Sequence, residues 1–142
     1  MNEYIFEEIQ IGQAETFTKK ITLQMEESFR EITGDLNPLH SDDGYARNIG
    51  NGKFKSHICF GMLTASLYST LAGVYLPGKY SLIHSIDNIS FRNPVFAGDI
   101  LTVIGGVIAK QNDLKLIQIR AKIINQDRKI VSKADMKILV QK

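Results

Sequence analysis

The chain contains 142 residues, of which 44% are hydrophobic and 23% are charged. This is the length of one ordinary domain, residues 1–142, and the composition excludes disordered, collagen-like and disulfide-rich proteins. Lys and Arg number 17 against 15 Asp and Glu, a net charge of +2, and the basic residues are scattered along the chain. We therefore expect no binding to nucleic acid.

The N-terminal segment and the single cysteine predict a cytoplasmic protein. Carboxylates occur among the first eight residues, where a signal peptide carries positive charge, and no run of 18 apolar residues is present. We therefore expect neither export nor insertion into a membrane. Cys59 is the only cysteine and lies in an apolar stretch, which is typical of a buried, unreactive thiol in a reducing compartment.

The first part of the chain predicts one strand, one helix and a long loop. Apolar and polar residues alternate over 16–21, which indicates a strand. Thr22 is suited to cap a helix over about 23–33, and Gly34 is suited to end it. Residues 35–58 show no apolar period and have room for at most one short helix. Structured loops of this length in compact domains are usually functional.

The second part predicts one central helix and four strands. Residues 59–74 are apolar or small on every face, which favours a helix buried in the middle of the domain. Strands are expected at 81–91, 100–109, 114–124 and 130–140, with the clearest apolar–polar alternation in the last two. An antiparallel sheet with one apolar face and a fully apolar helix bury each other when the sheet wraps around the helix. The pattern therefore predicts an α+β domain.

The segment 33–40, TGDLNPLH, carries the candidate chemistry. Asp35 and His40 lie on either side of a turn in which Pro38 fixes its own φ and holds Asn37 in an extended conformation. A carboxylate and an imidazole that face one cleft form an acid/base pair. On local composition alone, a simple turn with a partly exposed loop histidine is the more common explanation of the same residues.

This segment resembles the G-D-x-N-P-[LIV]-H signature of the MaoC-like (R)-specific enoyl-CoA hydratases. The residues GML at 61–63 and FRNPVFAGD at 91–99 are similar to two further motifs of that family. The resemblance runs from about residue 29 to the last strand. It implies the hot dog fold, at least a homodimer, and an acyl-CoA thioester as substrate. The implied reaction is the reversible syn addition of water to a trans-2-enoyl thioester, which gives the (R)-3-hydroxyacyl product without a metal or a separate cofactor.

The resemblance also assigns roles to individual residues. Asp35 and His40 hold and activate the water, and Asn37, which belongs to the same motif, is expected to bind substrate. Gly61 is expected to donate its backbone N–H to the thioester oxygen, where negative charge develops. Ser69 matches a serine that assists Asp35. For both Gly61 and Ser69, close packing of the helix remains an alternative explanation.

Small residues recur along the central helix at Gly61, Ala65, Ser69 and Ala72. This stripe would leave room for an acyl chain, or it would pack closely against the sheet. The chain departs from the family at Phe60, because many relatives have a histidine before this glycine. Any help that such a histidine gives to substrate positioning is therefore missing or replaced here.

The sequence also bears on metal binding and on alternative functions. The histidines at positions 40, 57 and 84 and the single cysteine show no metal-ligand spacing, and we assign no role to His57 or His84. A hot dog thioesterase, a dehydratase acting on acyl carrier protein, and a non-catalytic acyl-CoA-binding subunit are the alternative functions, since fold alone does not settle function. The presence of both Asp35 and His40 argues against the thioesterase and the non-catalytic subunit.

Overall fold

Five strands and three helices make up the fold, which is described by a computed structural model of all 142 residues. In chain order they are β1 (Ala14–Lys20), α1 (Leu23–Thr33), α2 (Asp43–Ile49), α3 (Gly61–Thr70), β2 (Ser81–Phe91), β3 (Ile100–Gln111), β4 (Leu116–Ile124) and β5 (Ile130–Val140). Short 3₁₀ turns lie at Phe6–Glu8 and Pro38–His40, and a π-helical turn at Leu71–Tyr75 extends α3.

The strands form one antiparallel sheet in the order β1-β3-β4-β5-β2. Alternation along each strand decides which side chains are buried. On β4, Ile117 and Ile119 are fully buried whereas Arg120 is exposed. On β5, Met136 is fully buried and Lys133 is exposed. The predicted apolar face is therefore confirmed, and it forms the core of the protein.

The helix α3 and its π-helical turn pack against this apolar face. Tyr68 and Leu71 are fully buried there. The Tyr68 hydroxyl donates to Ser132 Oγ on β5 at 2.9 Å, which satisfies a polar side chain on the buried face. At Gly105 on β3, a Cβ atom would lie 2.5 Å from Leu71 Cδ2, so only glycine allows the helix to approach the sheet this closely. The α+β arrangement predicted from the sequence is confirmed.

One side of α3 is open, contrary to the prediction of a helix buried on every face. Met62 is 59% exposed, and Ser66 and Ser69 are also exposed. The reason is that the sheet of a single chain covers only one side of the helix. The helix also begins later than predicted, at Gly61, because the N–H of Cys59 donates to the carbonyl of Val95 at 2.7 Å and holds that residue in an extended segment.

The helix α1 begins and ends as predicted. Thr22 Oγ1 accepts the N–H of Met25 at 3.2 Å, and Gly34 closes the helix at φ +71°. The region 35–58 contains the one short helix for which it had room, α2, capped by Asp42. No helix in the structure has both the length and the apolar character needed to cross a membrane.

Candidate active site

A cavity of about 390 Å³ opens beside the N-terminus of α3. Each of the three sequence motifs contributes to its wall, through His40, Gly61 and Phe91 respectively. The other residues that line it are Phe54, Ile58, Cys59, Thr64, Arg92, Asn93, Pro94, Val95 and Val131. Segments far apart in sequence thus meet at one place, which makes this cavity the candidate active site.

His40 is held in one orientation by its surroundings. Its Nδ1 lies 2.8 Å from the carbonyl oxygen of Ile58, which can only accept a hydrogen bond. Nδ1 therefore carries the hydrogen, and in the neutral ring Nε2 is left with a lone pair. Arg30 Nη2 donates to the backbone oxygen of His40 at 3.1 Å, which fixes the main chain at the same residue. These contacts leave Nε2 as a proton acceptor.

Phe60, the residue that departs from the family pattern, supports the His40 ring. It is buried, and its ring centroid lies 4.3 Å from that of His40 and 5.3 Å from that of Phe29. The guanidinium of Arg30 lies over the same ring, 5.9 Å from the centroid. An aromatic packing surface therefore stands where many relatives have a histidine.

Gly61 is the first residue of α3, and its N–H makes no hydrogen bond within the chain. A free N–H at this end of a helix attracts negative charge. A Cβ atom at this position would lie 3.2 Å from two ring carbons of Phe91, so a larger residue would press against the cavity wall. Gly61 thus provides both the close packing and the free donor expected from the sequence.

Asp35 and Asn37 lie on the exposed part of the same loop and do not line the cavity in the single chain. Asp35 Oδ1 accepts the N–H of Asn37 at 3.0 Å. Asn37 Oδ1 accepts the N–H of Leu39, also at 3.0 Å, and caps the 3₁₀ turn that ends at His40. In one chain these contacts are those of a turn, and they set the start of the segment that carries His40.

The predicted stripe of small residues is not one surface beside an acyl chain. Ala65 and Ala72 are buried in the core, whereas Ser69 is exposed on the open side of α3. At about 100° per residue, Ser69 is about 80° around the helix from Gly61, which places it at the edge of this face, where the open side begins. For Ala65 and Ala72 the structure shows the second alternative, close packing within the core.

Sequence reasoning missed a charged cluster around His57, the residue before Ile58 of the cavity wall. His57 Nε2 lies 3.0 Å from Glu26 Oε2 on α1, and His57 Nδ1 lies 2.6 Å from Asp43 Oδ1 on α2. Glu26 is only 2% exposed. Its position three residues before Phe29, on the inner side of α1, is the one sequence signal for the cluster. The residues that meet are 14 and 31 positions apart in the chain, and no local pattern predicts that contact.

This cluster affects the pKa values of two groups, His57 and Cys59. Burial alone lowers the pKa of His57, but the hydrogen bonds and charges of Asp43 and Glu26 outweigh it and hold the pKa above its usual value. Burial, aided by the charge of Glu26, raises the pKa of the Cys59 thiol to about 12. The predicted burial of Cys59 is confirmed, and its raised pKa disfavours the reactive thiolate form.

Comparison with known proteins identifies the family to which the chain belongs. The model of the MaoC like domain family matches residues 8–127. The chain is 35% identical to an (R)-specific enoyl-CoA hydratase of Aeromonas caviae over 83% of its own length and 85% of that protein. It is 36% identical to a 3-hydroxybutyryl-CoA dehydratase of Methylorubrum extorquens over 69% of its own length and 60% of that protein.

A structural comparison also finds a hydratase, with a closely similar fold. The R-hydratase PhaJ1 of Pseudomonas aeruginosa superimposes with a TM-score of 0.86 at 29% identity, over 96% of this chain and 84% of that one. The fold of this chain and the extent of these matches point to the same family, whose motifs meet at the cavity. This chain belongs to the MaoC-like domain family and has its hot dog fold.

Proposed function

We propose that the protein is an (R)-specific enoyl-CoA hydratase, which adds water to a trans-2-enoyl-CoA and catalyses the reverse dehydration. One observation carries this proposal: His40, whose Nε2 is left as a proton acceptor, and Gly61, whose N–H is free, line the same cavity. Hydration of an enoyl thioester needs both groups. The similar proteins from Aeromonas caviae and Methylorubrum extorquens bear the names of a hydratase and a dehydratase, which confirms the expectation of a hydro-lyase.

The chemistry follows from the placement of these groups. His40 Nε2 accepts a proton from water as the water oxygen bonds to C3 of the substrate. The electrons of the double bond move toward the thioester, and the Gly61 N–H stabilises the charge on its oxygen. The protonated His40 then returns this proton to C2 on the same face, which completes syn addition and restores the neutral ring. Asp35 shares the water with His40, and the reaction uses no metal and no cofactor beyond the CoA of the substrate.

We also propose that the active unit is a homodimer. Asp35 and Ser69 are exposed to solvent, and so are three large apolar side chains: Ile32, Leu36 and Met62 are between 59% and 80% exposed. A second copy seated on the open side of α3 would cover such side chains and enclose Asp35. In that assembly Ser69 and Asn37 contribute to substrate binding. The cytoplasmic location remains a prediction from the sequence.

The test is an assay of the purified protein with crotonyl-CoA. We expect loss of the enoyl-thioester absorbance and formation of (R)-3-hydroxybutyryl-CoA, identified by chiral analysis of the product. The same acyl group on acyl carrier protein and on free CoA, offered side by side, distinguishes a CoA hydratase from a carrier-protein dehydratase. Release of free CoA instead of hydration would indicate a thioesterase and would overturn the proposal.

A further inference from the structure

Glu26, His57 and Asp43 form a charged cluster that the proposed mechanism leaves unused, and Glu26 and His57 share a small cleft with His40. We propose that His57 is a positioning residue: clamped between the two carboxylates, it holds the segment that orients His40. This inference rests on the proposed function, because it concerns the orientation of the proton acceptor in that reaction.

Three contacts fix His57 to two helices. Glu26 on α1 and Asp43 on α2 bind the two ring nitrogens, at 3.0 and 2.6 Å. Asp43 Oδ1 also accepts the backbone N–H of His57 at 2.9 Å. Both the side chain and the main chain of this residue are thereby held in place.

Ile58, the residue after His57, forms the link to the candidate active site. The carbonyl of Ile58 accepts the Nδ1 hydrogen of His40, and the N–H of Ile58 donates to the carbonyl of Leu39 at 3.1 Å. Ile58 is thus bonded on both sides to the turn that carries His40. A shift of His57 would move this carbonyl, and the Nδ1–H tautomer of His40 would lose its partner.

The clamp requires a charged ring. Only a protonated imidazole donates from both nitrogens, as the two carboxylates demand. Glu26 Oε1 is buried with no hydrogen-bond partner, so the buried carboxylate depends on the charge of the ring for compensation. Consistent with this, the hydrogen bonds and charges of the two carboxylates overcome the effect of burial and raise the pKa of His57.

The other ionisable groups near the ring are those that share its small cleft and those that adjoin the carboxylates. They are Glu27 and Arg30 on α1, His40 in the turn, Arg47 on α2, and Cys59, two residues after His57.

Above the pKa of His57 the ring loses one donor, so one carboxylate faces a lone pair instead of a hydrogen. The contact then becomes repulsive, the clamp opens, and kcat falls at alkaline pH.

The experiment compares the pH profiles of kcat for the wild type, Asp43→Asn, His57→Gln and His84→Gln, with crotonyl-CoA as substrate. Asp43→Asn keeps an oxygen for both His57 donors but removes the charge, so we expect the alkaline limb of kcat to move to lower pH. His57→Gln is expected to reduce kcat by roughly 10–100-fold, the effect of a misplaced catalytic group, with KM within about twofold. His84 is an exposed histidine on β2, and its variant is the matched control.

A second measurement does not depend on activity. The ¹⁵N chemical shifts of the His40 ring report its tautomer, and we expect the Nδ1–H form in the wild type and His84→Gln, but a mixture of tautomers in His57→Gln. If the wild type does not hydrate crotonyl-CoA, the proposed function fails while these spectra still test the clamp.

Two results would overturn the clamp. One is an Asp43→Asn variant whose alkaline limb stays in place; since Asp43 is 53% exposed, this variant is expected to fold even if His57→Gln does not. The other is a folded His57→Gln variant with native kcat and an unchanged His40 tautomer.

Discussion

At the scale of single residues, His40 acquires its chemical role from neighbours that are distant in sequence. The Ile58 carbonyl selects the tautomer, Phe60 packs against the ring and Arg30 fixes the main chain. The pattern of Asp35 and His40 was visible in the sequence, but these three supports were not. A histidine in a loop becomes a defined proton acceptor only when such contacts remove its other orientations and its other tautomer.

Asp35→Asn is expected to abolish hydration and leave the fold intact. Asp35 is exposed, and the asparagine keeps the oxygen that accepts the N–H of Asn37, so the turn is preserved. We expect kcat/KM to fall by roughly 10²–10⁴-fold, the usual cost of removing a general acid or base. Steady-state kinetics with crotonyl-CoA and a thermal melt check this. Asp113→Asn, an exposed carboxylate in the β3–β4 turn, is the control, and near-native turnover in Asp35→Asn would refute the assignment.

His40→Ala is expected to cause a comparable loss, and the double variant with Asp35→Asn should lose far less than the product of the two. Both groups are proposed to serve one water, and residues that act as a unit are strongly non-additive. Kinetics of the two single variants and the double variant complete this cycle. Fully multiplicative losses would show that Asp35 and His40 act independently.

At the scale of elements, the sequence predicts the features that depend on contacts between residues close together in the chain. Thr22 and Gly34 determine the ends of α1 because capping involves residues within one turn of the helix. Strand alternation likewise revealed the apolar face. The open side of α3 was not predictable, because its residues are apolar or small whether a sheet covers them or not. The His57 clamp was also missed, since its partners come from two other elements.

The N-terminus of α3 can be tested through Gly61→Ala. The added methyl would lie 3.2 Å from the ring of Phe91, which is half exposed and free to shift, so the fold should survive while the cavity wall changes beside the free N–H. We expect kcat/KM to fall by up to roughly 10²-fold with little change in melting temperature. Gly73→Ala, in the π-helical extension of α3, meets its nearest atom at 3.9 Å and serves as the control. Equal activity of the two variants would contradict an active-site role for Gly61.

In the π-helical turn that extends α3, we expect a substitution to lower stability and to leave substrate preference unchanged. Ala72 is completely buried, so Ala72→Leu forces three extra carbon atoms into a packed core. We expect a loss of about 1–3 kcal/mol in the free energy of unfolding, measured by urea denaturation. The ratio of kcat/KM for four-carbon and eight-carbon substrates should not change. A selective loss with the longer substrate would restore the discarded idea that the small-residue stripe lines an acyl pocket. Ala14→Leu, at an exposed site on β1, controls for the substitution itself.

At the scale of the whole molecule, several features of the single chain support the proposed homodimer. The cavity contains His40 and Gly61 but not Asp35, and the open side of α3 lies beside exposed apolar groups of α1. Both edge strands, β1 and β2, also have one unpaired side. A second copy seated on the open side of α3 would cover the exposed apolar groups and enclose Asp35.

Ile32→Lys tests this assembly. Ile32 is 80% exposed and borders an apolar groove between α1 and α3, and a lysine near the C-terminus of α1 is favourable for the helix itself. The charge should therefore spare the fold but weaken a dimer that buries this side. We expect sedimentation velocity to show a dimer for the wild type at micromolar concentration and a monomer for Ile32→Lys, together with loss of hydration, because Asp35 would no longer be enclosed. Ile11→Lys changes another exposed isoleucine, in the turn before β1, and should leave both properties unchanged. A wild type that sediments as a monomer and is fully active would show that Asp35 reaches the water without a partner.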